Sequence, residues 1–202
     1  MSRNVLPGSP QVKWDQGGSR GKPLRGLLIG SNGSCSQLLG ILFPALMNLA
    51  SLLSEHRVLS EMAAETHREA LAEMIDHLLE IGALGIKSRD IILDALYARE
   101  ERVSTGIGHG VAIPHCYCSE LEKPVALLGR SRNGVNFDAC DNAPVHFIIL
   151  LIVPENQPNA HLQTLALIAR LFARYEVRRM MSEAETAEGL IRVLEDYEEE
   201  DQ

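Results

Sequence analysis

From Leu49 onward the apolar positions fall into two kinds of block, some at helical spacing and some continuous. Thr66 stands before HREALAEMIDHLLEIGAL, where Ala70, Met74, His77/Leu78 and Ile81 recur at helical spacing. A Thr with Glu69 three residues later is a capping box, so the helix starts there. Gly82 and Gly85 end it. Ser88 is the expected cap of a second helix, RDIILDALYAREE, with Ile91, Ile92, Ala95 and Leu96 on one face. Residues 159–175 read as a third, with Leu162, Leu165, Ala166, Ala169 and Phe172 along one stripe. Ser182-Glu183 is expected to open a last helix through Leu194, followed by an acidic solvated tail.

Between the helical blocks the pattern changes. Residues 103–115 (VSTGIGHGVAIPH) place Gly106, Gly108 and Gly110 within five positions, which a helix does not tolerate. That stretch reads as a glycine-bent β segment. Residues 123–132 and 145–153 are strand candidates. The second is apolar almost throughout, as a strand covered on both faces must be. Residues 141–144 (DNAP) are turn chemistry. Residues 49–59 hold one helical turn and a strand-like stretch. The order helix, helix, strands, helix, helix predicts an α/β protein: a mixed β-sheet flanked by helices on both sides.

Composition adds a boundary. The 202 residues suit one domain plus a tail, and aromatics are only 4%, so the core must be mostly Leu, Ile, Val and Ala. Residues 1–46 are rich in Gly, Ser and Pro and carry Arg3, Lys13, Arg20, Lys22 and Arg25 against Asp15. They read as a disordered or misassigned leader, with Met47 opening the domain of residues 47–202. A secretory signal is the competing reading; its basic part is too long, and Ser31 to Gln37 interrupt its apolar part. The net charge of −8, with no basic stripe, argues against a nucleic-acid partner. No apolar run reaches the roughly 18 residues of a spanning helix, so no membrane insertion is expected. Cys35, Cys116, Cys118 and Cys140 form no dense framework, which suits a reducing, cytoplasmic setting.

Among seven histidines, His56, His67, His77 and His146 lie inside helix or strand patterns and read as ordinary surface or part-buried residues. His115 differs. It follows Pro114, whose ring fixes φ and pushes Ile113 toward an extended conformation. A histidine presented from so stiff a backbone, beside glycine-rich N–H groups, can act as a nucleophile toward phosphorus. A purely structural turn that ends in histidine fits the spacing equally well. Arg99 can grip phosphate oxygens or simply suit a helix end. His161 can steady a phosphate beside His115 or simply face water. His109, His115, Cys116 and Cys118 fall within ten residues, but the spacing is not Cys-x-x-Cys and no second pair follows, so no metal is expected. A cysteine–histidine nucleophile pair is disfavoured, because adjacent positions rarely face each other.

The run Arg99-Glu100-Glu101-Arg102-Val103-Ser104-Thr105-Gly106-Ile107-Gly108-His109-Gly110-Val111-Ala112-Ile113-Pro114-His115 resembles the active-site signature of enzyme IIA domains of the bacterial phosphotransferase system. The type is fructose/mannitol, with its nitrogen-regulatory branch. Val135-Asn136-Phe137-Asp138-Ala139, with Asp141 and Pro144-Val145, is similar to that family's next landmark. Pro154, His161-Leu162 and Leu165-Ala166 resemble its second histidine motif, at the family's separation from His115. The resemblance implies that His115 accepts the phosphoryl group, that His161 lies beside it, that Arg99 lines the site and that Thr105 and Gly106 shape it. It implies an HPr-like phosphoryl donor and no cofactor. The acceptor would be a IIB protein in the sugar branch, or a regulatory target protein in the nitrogen-regulatory branch. The domain is expected to stand alone, which favours the regulatory branch; the sugar branch and a binding-only regulator stay open. His109 and Cys116-Tyr117-Cys118 depart from the family pattern; the bulkier rim they imply beside the histidine would change which partner docks or add redox sensitivity.

Overall fold

Strand β6 (Val145–Pro154) is the spine of the molecule, and its sequence says why. VHFIILLIVP is almost wholly apolar, and the strand alternates its side chains between two cores. Val145, Ile148, Leu150 and Ile152 enter one; Phe147, Ile149, Leu151 and Val153 enter the other. Burying each such side chain contributes about 1.5–3 kcal/mol, more than a helix cap at about 1 kcal/mol, so the two faces of this strand dominate the fold.

The computed structural model describes residues 49–155 and 158–200, with the side chains of residues 158–161 and 200 outside that description. In chain order the elements are α1 (Leu49–Leu52), β1 (Val58–Leu59), α2 (His67–Glu80), α3 (Arg89–Glu100), β2 (Gly106–Gly108), β3 (Val111–Ala112), β4 (His115–Cys118), β5 (Val125–Val135), β6, α4 (Pro158–Ala173), α5 (Tyr175–Glu183) and α6 (Ala187–Glu200). One mixed sheet runs β1-β5-β6-β3-β2. β5 and β6 pair antiparallel, and β3 and β4 both run parallel to β6 along its other edge. Helices α2 and α3 cover one face; α1, α4, α5 and α6 cover the other. The expected mixed sheet with helices on both sides is what the chain forms. Among the described residues no helix is long and apolar enough to cross a membrane. The expected boundary at residue 46 lies outside the described residues.

Local chemistry explains most element ends. The Thr66 hydroxyl accepts from the Glu69 N–H and the Glu69 carboxylate accepts from the Thr66 N–H, the reciprocal capping box. Gly82 leaves α2 at φ 70°, a left-handed turn that glycine makes without a Cβ penalty.

Other expectations need correction. Ser88 does not cap α3: a 3-10 turn, Ile86–Ser88, leads into the helix, and the buried Ser88 hydroxyl instead donates to Glu120 in the turn after β4. The buried stripe of α3 is Ile92, Leu93, Leu96 and Glu100, with Ile91 exposed. In α4 the core takes Leu167, Ile168, Leu171 and Phe172, while Leu162 is exposed. Ser182 ends α5, its hydroxyl bonded to the Arg178 carbonyl at 2.8 Å. The last helix starts instead behind Thr186, whose hydroxyl accepts from the Gly189 N–H at 3.0 Å. The acidic segment expected to be solvated is mostly helix α6, and Glu198 within it is buried, accepting from the Leu49 and Ala50 N–H groups at the start of α1. A buried carboxylate on the last helix thus caps the first.

Candidate functional site

Strands β3 and β4 are one extended run interrupted at Ile113 and Pro114, both alongside β6. Pro114 has no N–H to give; its carbonyl accepts from the Leu151 N–H at 3.0 Å, so the interruption is held to the spine. His115 follows at once, in register with Leu151. In a strand, neighbouring side chains point to opposite faces. Cys116 and Cys118 turn into the core beneath α2 and α3, which leaves half-buried His115 and exposed Tyr117 outward.

The wall opposite is α3. Its last turns present Ala95, Ala98 and Arg99, joined by Arg102 just beyond the helix, across an open cleft from His115, Cys116 and Tyr117. The cleft encloses roughly 470 Å³. The Arg99 guanidinium donates to the Val103 carbonyl at 2.8 Å, which anchors it at the helix end. Arg99 and Arg102 thus line the same cleft as the histidine on a chain whose net charge is −8. That local reversal favours a dianionic group such as phosphoryl.

The His115 ring is oriented by its own backbone. Its Nδ1 lies 2.9 Å from the Ile113 carbonyl oxygen. A carbonyl only accepts, so Nδ1 carries the hydrogen in this arrangement, and in the neutral ring the lone pair belongs to Nε2.

Thr105 and Gly106 form the floor behind this segment. Thr105 is buried; its N–H and hydroxyl both donate to the Glu100 carboxyl, at 2.6 and 2.7 Å. Its carbonyl accepts from the Ile113 N–H at 3.0 Å. The Thr105 hydroxyl is thereby directed to Glu100, so Thr105 shapes the site from behind. Gly106 packs so close to Ala139 that a Cβ would lie 2.7 Å from its Cα.

Among the expected site residues, the structure brings Arg99 and His115 to one cleft and sets Thr105 and Gly106 behind them. His161 falls in the first turns of α4, and its side chain lies outside the described residues. Of the two effects expected of the rim, redox sensitivity finds no support at Cys116: burial pushes its thiol up to about 12, so it is not a thiolate nucleophile. Nor do His109, His115, Cys116 and Cys118 form a ligand set, since the strand alternation separates both cysteines from His115. Among the described residues no three His, Cys, Asp or Glu side chains are placed to hold a metal. His109 sits at the β2–β3 turn with φ 57°, its N–H donating to the Asp141 carboxylate at 2.8 Å. The His109 and Ala143 N–H groups hold that carboxyl below the usual aspartate range.

Glu100 and Arg102 were not singled out from the sequence. Glu100 had a signal: it continues the apolar stripe Ile92, Leu96 by one more step of four, where a charge needs a buried partner.

Comparisons with known proteins bear on this geometry. Residues 51–197 match the family model described as phosphoenolpyruvate-dependent sugar phosphotransferase system, EIIA 2. The chain is 32% identical over 153 residues to the nitrogen regulatory protein of Escherichia coli, covering 75% of this chain and 92% of that one. It is 30% identical over 152 residues to the fructose-specific EIIABC component of Bacillus subtilis; the match covers 75% of this chain but only 24% of that protein. The crystal structure of nitrogen regulatory protein IIA-Ntr from Neisseria meningitidis superposes with a TM-score of 0.67 at 29% identity, covering 72% of this chain and 98% of that one.

Proposed function

The chain belongs to the EIIA 2 family of the phosphoenolpyruvate-dependent sugar phosphotransferase system, and from that premise we propose that it is a phosphoryl carrier whose acceptor is His115. The observation that carries the reading is the placement of a histidine, its Nδ1 held at the Ile113 carbonyl, across one cleft from Arg99.

The chemistry follows from that placement. A phosphorylated HPr-like protein docks over the cleft and presents its phosphoryl group in line with Nε2 of His115. The Nε2 lone pair forms the new N–P bond as the donor's P–N bond breaks, and the donor nitrogen leaves with that electron pair. Nδ1 keeps its hydrogen on the Ile113 carbonyl throughout, so no proton has to leave the ring during transfer. Arg99 and Arg102 offset the charge spread over the three phosphoryl oxygens, and His161 is the proposed second histidine beside them. Onward transfer reverses the same steps toward a IIB-type acceptor, or the phosphorylated state is read by a regulatory target. Neither step needs an organic cofactor, and the setting proposed is the cytoplasm.

The nitrogen-regulatory branch is favoured because the match covers 92% of the Escherichia coli nitrogen regulatory protein. A sugar-branch role is the second reading, supported by the likeness to the fructose-specific component. The test is transfer from a phosphorylated HPr-type donor: the wild type gains one acid-labile phosphate and His115→Ala gains none. A wild type that stays unlabelled by several competent donors would sink the reading.

A further inference from the structure

Taking His115 as the phosphoryl acceptor, we propose that Glu100 is a positioning residue for that reaction, setting the orientation of the His115 ring through a chain of hydrogen bonds that begins in the core.

The links are explicit. Glu100, the last residue of α3, is only 7% exposed. One carboxyl oxygen accepts from the Thr105 N–H at 2.6 Å and the other from the Thr105 hydroxyl at 2.7 Å. Thr105 is thus pinned at two points, through its backbone and its side chain. Its carbonyl then accepts from the Ile113 N–H at 3.0 Å. The Ile113 carbonyl in turn accepts from His115 Nδ1 at 2.9 Å. Each link runs through a different peptide plane, so the chain transmits position rather than a proton.

Position is what the histidine needs. Which ring nitrogen carries hydrogen is set by the bond the other one makes. At His115 that bond is to a carbonyl next to Pro114, in the gap between β3 and β4, where the ladder to β6 is interrupted. The Thr105–Ile113 bond crosses that gap from behind. If Thr105 drifts, the Ile113 carbonyl loses its restraint, and Nε2 loses its lone pair in the fraction of molecules that switch tautomer. Glu100 also adjoins Arg99, so the same carboxyl ties the end of the helix that carries the arginine to the segment that carries the histidine.

The experiment uses full-length protein labelled with 15N-histidine and reads the His115 tautomer from long-range proton–nitrogen correlations at neutral to mildly basic pH, without phosphate. Wild type, Glu100→Gln and Glu100→Ala are compared, with circular dichroism as the check on fold. The wild type is expected to hold hydrogen on Nδ1. Glu100→Gln keeps an oxygen for the Thr105 N–H and an amide that donates to the Thr105 hydroxyl, so it should keep the tautomer. Glu100→Ala should show mixed tautomers and accept phosphate from an HPr-type donor roughly tenfold more slowly, the scale of a misplaced reacting group. If Glu100→Ala does not fold, Glu100→Asp, which withdraws the carboxyl by one methylene, takes its place with the same expectation. An unchanged tautomer in a folded Ala or Asp variant overturns the inference and leaves the carrier reading intact. Loss of the tautomer in Glu100→Gln as well also overturns it, because charge rather than position would then be acting. A wild type that no donor labels sinks the carrier reading instead, and the tautomer comparison still decides whether Glu100 sets the ring.

Discussion

Nothing separates Gly106 from Ala139: a Cβ placed on Gly106 would lie 2.7 Å from both the Cα and the Cβ of Ala139. The Gly106 carbonyl also accepts from the Cys140 N–H at 3.1 Å, so the two segments are drawn together by backbone as well as by the missing side chain. Gly106→Ala is therefore expected to push the loop at Ala139 away and to destabilise the fold by about 1–3 kcal/mol, the usual cost of overpacking. Urea denaturation measures it. A midpoint equal to wild type would show that the contact yields freely.

Arg99 donates to the Val103 carbonyl at a helix end and is not part of the buried core, so its replacement leaves the core untouched. Arg99→Ala should slow labelling by an HPr-type donor roughly 100-fold, and Arg99→Lys roughly 10-fold, because lysine keeps the charge but not the planar fork. Single-turnover labelling rates decide it; wild-type rates in both variants would remove Arg99 from the site.

How much of this was readable beforehand varies by element. β6 was legible because a strand buried on both faces has few sequences open to it, and VHFIILLIVP is one. Helix α2 was legible because its cap, stripe and stop agree. The stripes of α3 and α4 were misjudged because apolar residues sit on both sides of the true face: Ile91 and Leu93 flank Ile92, and only packing selects Leu93. The break between α5 and α6 was misplaced because Ser182 and Thr186 are both plausible caps, and the local pattern does not say that Ser182 bonds back to Arg178. Of the candidate site, the motif named His115 and Arg99, which the fold brings to one cleft. Glu100 could have been suspected from its place on the α3 stripe, but its partner Thr105 could not, and Glu198 gave no signal, because its donors lie on a distant segment.

Cys116 is expected to be inert in the folded protein. Burial, with a smaller contribution from Cys118, pushes its thiol up to about 12, so only about one in ten thousand is ionised at pH 8. Brief native-state alkylation followed by peptide mapping should modify exposed Cys140 well before Cys116. Equal labelling of the two would contradict the burial of β4's inner face.

Glu198 should give the fold a signature in pH. Burial raises its carboxyl above the ordinary glutamate range, although the Ala50 and Leu49 N–H bonds pull the other way. The folded chain thus holds this proton more tightly than the unfolded chain. Its contribution is fully present below the unfolded value of about 4.3 and is lost as pH rises through the folded value. The stability of wild type minus that of Glu198→Gln, from denaturation at several pH values between 4 and 7, should therefore fall with rising pH. A difference that grows with pH would reverse the assignment.

The central claim is that phosphate sits on Nε2 of His115. Protein labelled with 15N-histidine, charged from phosphoenolpyruvate through enzyme I and an HPr-type donor, tests it by phosphorus–nitrogen coupling in NMR. The account predicts one phosphorus signal, coupled to His115 Nε2, and no signal from His115→Ala. Coupling to Nδ1, or to another histidine, would contradict it.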